Sequence, residues 1–139
     1  MRLYSQADVY KIFHRIPNNT LLGWARAGLV SYEQEIRDNR GCHRLYSKKD
    51  LYKIGIVEHL TQLGLFPDII KFANLEVNFS DEFLIIEYFS GKYYNEKGYY
   101  VISTDSIDFP NKEKAVVFIV ISLRNLKNHI DSRIEGLIK

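Results

Sequence analysis

One cysteine, one methionine, one tryptophan and three prolines in 139 residues leave several chemistries without material. A single thiol, Cys42, cannot close an internal disulfide, which fits a reducing compartment. With no second cysteine to share an ion, it reads as a plain strand residue and not as a redox or metal thiolate. No apolar run approaches the roughly 20 residues that a membrane span needs. The opening residues, Met1-Arg2-Leu3-Tyr4-Ser5, hold no apolar stretch of signal-peptide type, so the expected location is the cytoplasm. Repeats and low-complexity tracts are missing. His14, His43, His59 and His129 show no ligand spacing, and no Ser/His/Asp, Cys/His, paired-carboxylate or Gly-rich phosphate signature stands out. Neither an enzyme nor a cofactor is expected.

What is present is ordinary globular material, 46% apolar and 26% charged, enough for one good core or two very small ones. The net charge of +2 is unevenly spread. Up to Leu75 there are eleven Lys/Arg against seven Asp/Glu, and from Glu76 onward eight against ten. A basic first part joined to a slightly acidic second part suggests a nucleic-acid-facing unit with a companion. The texture changes at the same place: helical spacing of apolar residues up to about Ala73, then short runs dense in Val, Ile, Tyr and Phe. The expected class is α+β, with parts at 1–75 and 76–139 and a joint over 74–81.

In the first part Ser5 with Asp8 starts a helix that buries Val9, Ile12 and Phe13. Pro17, Asn18, Asn19 and Thr20 give a turn and caps for a second helix over 20–27, which Gly28 ends and in which Trp24 serves mainly for packing. Two short helices joined by a tight turn make a helix-turn-helix. A hairpin follows, 32–37 and 42–46, turning at Asp38-Asn39-Arg40-Gly41, with Arg37, Arg40, His43 and Arg44 concentrated near its tip. Ser47 and Asp50 form a second capping box for a helix over 47–63, burying Leu51, Ile54, Val57 and Leu60. Pro67 then opens a fourth helix containing Ile69, Ile70 and Phe72.

The order and spacing of these signals resemble the DNA-binding domain of MerR-family transcription regulators. The residues that carry the resemblance are Ser5, Thr20-Leu21-Leu22-Gly23-Trp24 with Gly28-Leu29, Arg44-Leu45-Tyr46-Ser47-Lys48-Lys49-Asp50-Leu51 and Leu60-Thr61-Gln62-Leu63-Gly64. It covers about residues 3–72 and implies a winged helix-turn-helix regulator, with double-stranded DNA as partner. The recognition helix would enter the major groove and the wing would hold the phosphate backbone. Asn18, Asn19, Thr20 and Arg26 on the recognition helix, and Arg37, Arg40, His43, Arg44 and Tyr46 on the wing, are then the expected DNA contacts, the two Asn by pairing with adenine edges. The chain departs from the family at Leu22, where an Arg is usual, at His14-Arg15 in place of a Gly, and in lacking the long uninterrupted dimerisation helix.

The second part reads as strands at 83–89, 99–104 and 115–121, with a turn at Asn95-Glu96-Lys97-Gly98. A terminal helix follows, striped by Leu126, Ile130, Ile134, Leu137 and Ile138. Tyr88, Tyr93, Tyr94, Tyr99 and Tyr100 fit a half-buried pleated surface better than a ligand pocket. Because one helix-turn-helix covers only a half-site, a homodimer is expected, formed through Leu126, Ile130, Ile134 and Leu137 beside the strand 116–121, apolar on both faces. Whether a small-molecule or protein effector acts here is left open. Two other readings stand beside the regulator: a protein-interaction module of the chaperone-modulator type, favoured by Leu22 and Gly23, and an architectural, excisionase-like factor that bends DNA.

Overall fold

Two serines each start a helix, and the cap made by the second also anchors a loop. A computed structural model describes residues 1–17, 19–65, 67–89 and 98–137, and Asn18, Tyr93, Tyr94, Ile138 and most of the turn expected at 95–98 lie outside them. Helix α1 (Gln6–Ile12) is closed by Ser5 and Asp8, each side chain accepting from the other's backbone N–H at 3.2 and 3.0 Å. Helix α3 (Lys48–Gln62) repeats the device with Ser47 and Asp50, at 3.1 and 2.9 Å. Asp50 is buried as well, and its Oδ1 accepts from the Ser31 hydroxyl at 2.6 Å, so the cap of α3 also fixes the loop that follows helix α2 (Thr20–Arg26).

Both α2 and α3 end on glycine. Gly28 and Gly64 take φ of +76° and +79°, the left-handed conformation that lets Leu29 and Leu65 bond back to Trp24 and Leu60 and close the last turn. Between the two helices, strands β1 (Gln34–Asp38) and β2 (Gly41–Leu45) form an antiparallel hairpin. Helix α4 (Pro67–Glu76) starts at its proline as expected. It also runs through the first part of the supposed joint. Asn74 is buried, and its amide donates to the carbonyls of Leu29 at 2.8 Å and Lys53 at 3.4 Å.

The second sheet is fully antiparallel in the order β4-β3-β5, with β3 (Phe83–Phe89) between β4 (Tyr99–Thr104) and β5 (Ala115–Ser122). Tyr88 and Tyr99 oppose each other across β3 and β4, and Tyr99 meets the Phe72 ring of α4 edge-on at 5.8 Å. These tyrosines are half-buried packing residues. Helix α5 (Leu123–Gly136) leaves β5 directly, capped by the Ser122 hydroxyl. The described residues therefore make a mixed α+β protein with five helices and two antiparallel sheets, and no described helix is long and apolar enough to cross a membrane.

The core crosses from one part of the chain to the other. Leu84 and Ile86 of β3, Val101 of β4 and Leu123, Leu126, Ile130 and Ile134 of α5 join one cluster with Val9, Ile12, Leu51, Ile54 and Leu60. The stripe on α5 is thus buried inside its own chain. Leu126, Ile130 and Ile134 are 7%, 1% and 7% exposed, and Leu137 packs against the same cluster. These four are not the dimerisation surface expected of them. An apolar stripe on a terminal helix looks the same in sequence whether its cover is the chain itself or a second copy, and here α1 and α3 supply the cover.

Candidate nucleic-acid interface

Two elements face away from that core. On α2 only Leu21 is buried, and Asn19, Gly23 and Arg26, at helical spacing along one side, are exposed. The hairpin is barer still: all five residues of β1 and the first three of β2 are exposed. At its tip the Arg40 N–H donates to the Asp38 carboxylate at 2.8 Å, and Gly41 takes a φ of +114°.

The expected contacts separate into groups on this frame. Arg26, Arg37 and Arg40 are exposed, and Thr20 is half-buried at the start of α2. His43 is exposed and lies 3.4 Å from Asp38. Strand alternation places it with Ile36 on one hairpin face, while Arg37 and Arg44 share the other. Asn19 does not cap α2 with its side chain. Its backbone is left-handed, φ +70°, which Asn tolerates but which turns the side chain away from the first free N–H groups; Thr20 N–H bonds to the Pro17 carbonyl at 3.1 Å instead.

Two wing assignments need correction. Tyr46 is 1% exposed and part of the core, its backbone bridged to Tyr4 by two hydrogen bonds of 2.8 Å. It sits where the hairpin enters the body and presents nothing to DNA. Arg44 is held at the hairpin base, its side chain 14% exposed, 3.4 Å from Glu35 and 5.0 Å over the Tyr32 ring. Glu35 is the hub of that base: it also meets Arg37 at 3.5 Å and accepts from the Cys42 thiol at 3.0 Å. That hydrogen bond pushes the Cys42 thiol up and holds the Glu35 carboxyl down, so the cysteine is a poor thiolate, in keeping with a plain strand residue.

The hairpin is also less basic than its arginines suggest. Residues 32–46 carry Arg37, Arg40 and Arg44 against Glu33, Glu35 and Asp38. Further positive charge comes from residues outside α2 and the hairpin. Lys71 of α4 brings its Nζ to 3.5 Å from where a side chain on Gly28 would begin, beside the end of α2. Lys53 lies on α3 under the same loop, and burial, reinforced by Lys49, holds its ammonium below the ordinary lysine range. Arg2 stacks over Tyr4 at 4.9 Å, next to the hairpin base. Only the packing of α4 on the loop after α2, and the Tyr4–Tyr46 bridge, bring these cations to the site; no local motif marks them.

The burial of Tyr46 has a measurable consequence. Its phenol is pushed up to about 12 by burial, whereas in the unfolded chain it ionises near 10. The unfolded state then loses its proton first, so stability present below pH 10 falls as the pH rises toward 12, by up to about 3 kcal/mol for this group. Denaturant melts from pH 9 to 12 should show this loss, and Tyr46→Phe should reduce it; an identical pH dependence in the variant would place the phenol in solvent. No family model matches the chain, and no curated protein matches it.

Proposed function

We propose that α1, α2 and the hairpin are a winged helix-turn-helix and that the protein is a sequence-specific DNA-binding regulator of the MerR type. The observation that carries this reading is the hairpin: of its ten strand residues none is buried, and eight are exposed. Such an element is kept for contact with something else. Its exposed Arg37 and Arg40, with Arg26 and Lys71 at the end of α2, suit phosphate oxygens on either side of a groove into which α2 fits.

With Gly23 and Arg26 on its outer side, α2 offers few groups for base edges, so backbone contacts and DNA shape are expected to supply much of the specificity. Selecting bound sequences from random duplexes at moderate salt tests the reading. An inverted repeat supports a dimeric regulator, AT-rich flexible DNA an architectural factor, and no enrichment the protein-interaction module. The near balance of charge on the hairpin is the specific observation in favour of that last alternative.

Phosphate contact makes a second, quantitative demand. The double variant Arg37→Ala with Arg40→Ala should weaken binding to all duplexes about equally and flatten the logarithmic salt slope by about 1.8, roughly 0.9 for each lost contact. Arg44→Ala, which removes a strut inside the hairpin base, should leave the slope nearly unchanged. Equal slopes in the double variant and the parent would take the hairpin out of the interface.

The homodimer is proposed on the strand of the surface that the sequence suggested, without the helix stripe. β5 is an edge strand without a charged residue, and Val116, Val117 and Val120 are 65%, 49% and 39% exposed. Long apolar edges are normally blunted by charge or covered. A second copy pairing antiparallel across a two-fold axis would cover this one. Light scattering should find a dimer that Val116→Lys with Val120→Lys converts to monomer; a parent chain monomeric at micromolar concentration, on DNA and off it, would end this proposal.

A further inference from the structure

Behind the proposed DNA face, a cleft of about 480 Å3 opens between the end of α1, the second half of α3 and α5. Phe13, Leu126 and Ile130 supply its apolar lining, and one carboxylate, Glu58, lines it together with Arg15, Arg133, His14, His59 and His129. Glu58 is only 9% exposed, and its Oε2 has no hydrogen-bond partner. Buried carboxylates are ordinarily paired, because an unmet charge in a low-dielectric surrounding is unfavourable. Arg133 is held in place, its Nη1 donating to the Ile12 carbonyl at 2.5 Å, and Arg15 is exposed at the mouth. Among the described residues no group of three or more His, Cys, Asp or Glu is disposed to hold a metal ion.

We propose that the cleft binds a small zwitterion of the amino-acid class. Its ammonium pairs with Glu58, its carboxylate lies against Arg15 and Arg133, and its side chain rests on Phe13, Leu126 and Ile130. Each half of the charge pattern demands one half of the ligand: the unmet acceptor calls for a cationic donor, and guanidiniums select a carboxylate. The volume suits a small molecule and not a polymer. Binding would also join α1, at the point where the chain turns toward α2, to α5. An effect of the ligand on DNA affinity rests on the reading given above, whereas binding itself does not.

Calorimetry on the intact chain without DNA keeps the two apart. The common free L-amino acids, titrated singly, are expected to include at least one that binds with one site per chain. Its N-acetyl and carboxamide derivatives, each lacking one charge, should bind about tenfold more weakly or less. Arg15→Ala and Glu58→Gln should each weaken the free amino acid to a similar extent, with melting curves confirming that the variants fold. If Glu58→Gln proves unstable, the N-acetyl comparison on the parent chain decides. The proposal is overturned if no amino acid binds at millimolar concentration, if the blocked derivatives bind as well as the free ones, or if Arg15→Ala changes nothing.

Discussion

Replacing Ile130 with Asp is expected to unfold the chain from end to end and not merely to separate two copies. Ile130 is 1% exposed, and its Cδ1 lies 2.9 Å from where a Cβ on Gly55 would stand, where α5 packs on α3. The change removes a branched aliphatic side chain and places a carboxylate beside Phe13, Leu126 and Gly55, on the apolar side of the cleft. Lost burial is worth about 2–5 kcal/mol and desolvation of the carboxylate adds to it, so the sum reaches most of the roughly 5–15 kcal/mol that holds a small domain together. Circular dichroism and urea melts should show loss of the whole fold, the α1/α2 half included. A folded, monomeric Ile130→Asp chain would show instead that α5 covers nothing inside the protein, and would return its stripe to the dimer interface.

Gly55→Leu is the second change of large expected effect, and it acts from the other side of the same seam. A Cβ at position 55 would stand 2.9 Å from Ile130 Cδ1 and 3.0 Å from Leu126 Cδ1. Both are ends of flexible side chains, so a single methyl can be admitted by small rotations, and alanine also gains about 1 kcal/mol in helix preference over glycine. Leucine cannot be admitted so easily. Its three further carbons have to displace α5 itself, at a cost of about 3 kcal/mol. Thermal melts of the pair should place Gly55→Ala near the parent and Gly55→Leu well below it. Equal melting temperatures for the parent and the leucine variant would mean that the two helices are not in contact.

Which features the sequence disclosed follows from how local their causes are. Both capping boxes, the glycine ends of α2 and α3, the proline start of α4 and the bounds of β3 and β4 are each set by residues within a few positions of one another, and all stand where expected. The errors lie where the cause is distant. The hairpin pattern and the resemblance put Tyr46 on the wing; the backbone bridge to Tyr4, 42 residues earlier, turns it inward. Arg44 carries a charge suited to phosphate, but Glu35 and Tyr32, brought beside it by hairpin register, already engage it. Glu87 falls inside the strand expected at 83–89, and nothing near it in the chain marks it as buried. It lies wholly buried at the centre of the sheet, its Oε2 accepting from the Asn111 N–H at 3.1 Å, a bond that depends on a loop 24 residues away. Lys71 reaches the proposed interface only because Asn74, one turn further along α4, grips the loop after α2.

The shared core also sets a timetable for synthesis. Residues up to Glu76 leave the ribosome first, and they hold α1, α2, the hairpin, α3 and α4, everything the proposed DNA face presents. Yet Leu126 and Ile130 close the seam beside Gly55 and Phe13, and β3 gains its second neighbour with residues 115–122. A nascent or prematurely ended chain would carry the contact surface on an open apolar flank. Fragments ending short of α5 are thus expected to be cut by proteases faster than the 139-residue chain, because the flank that α5 covers stays open in them.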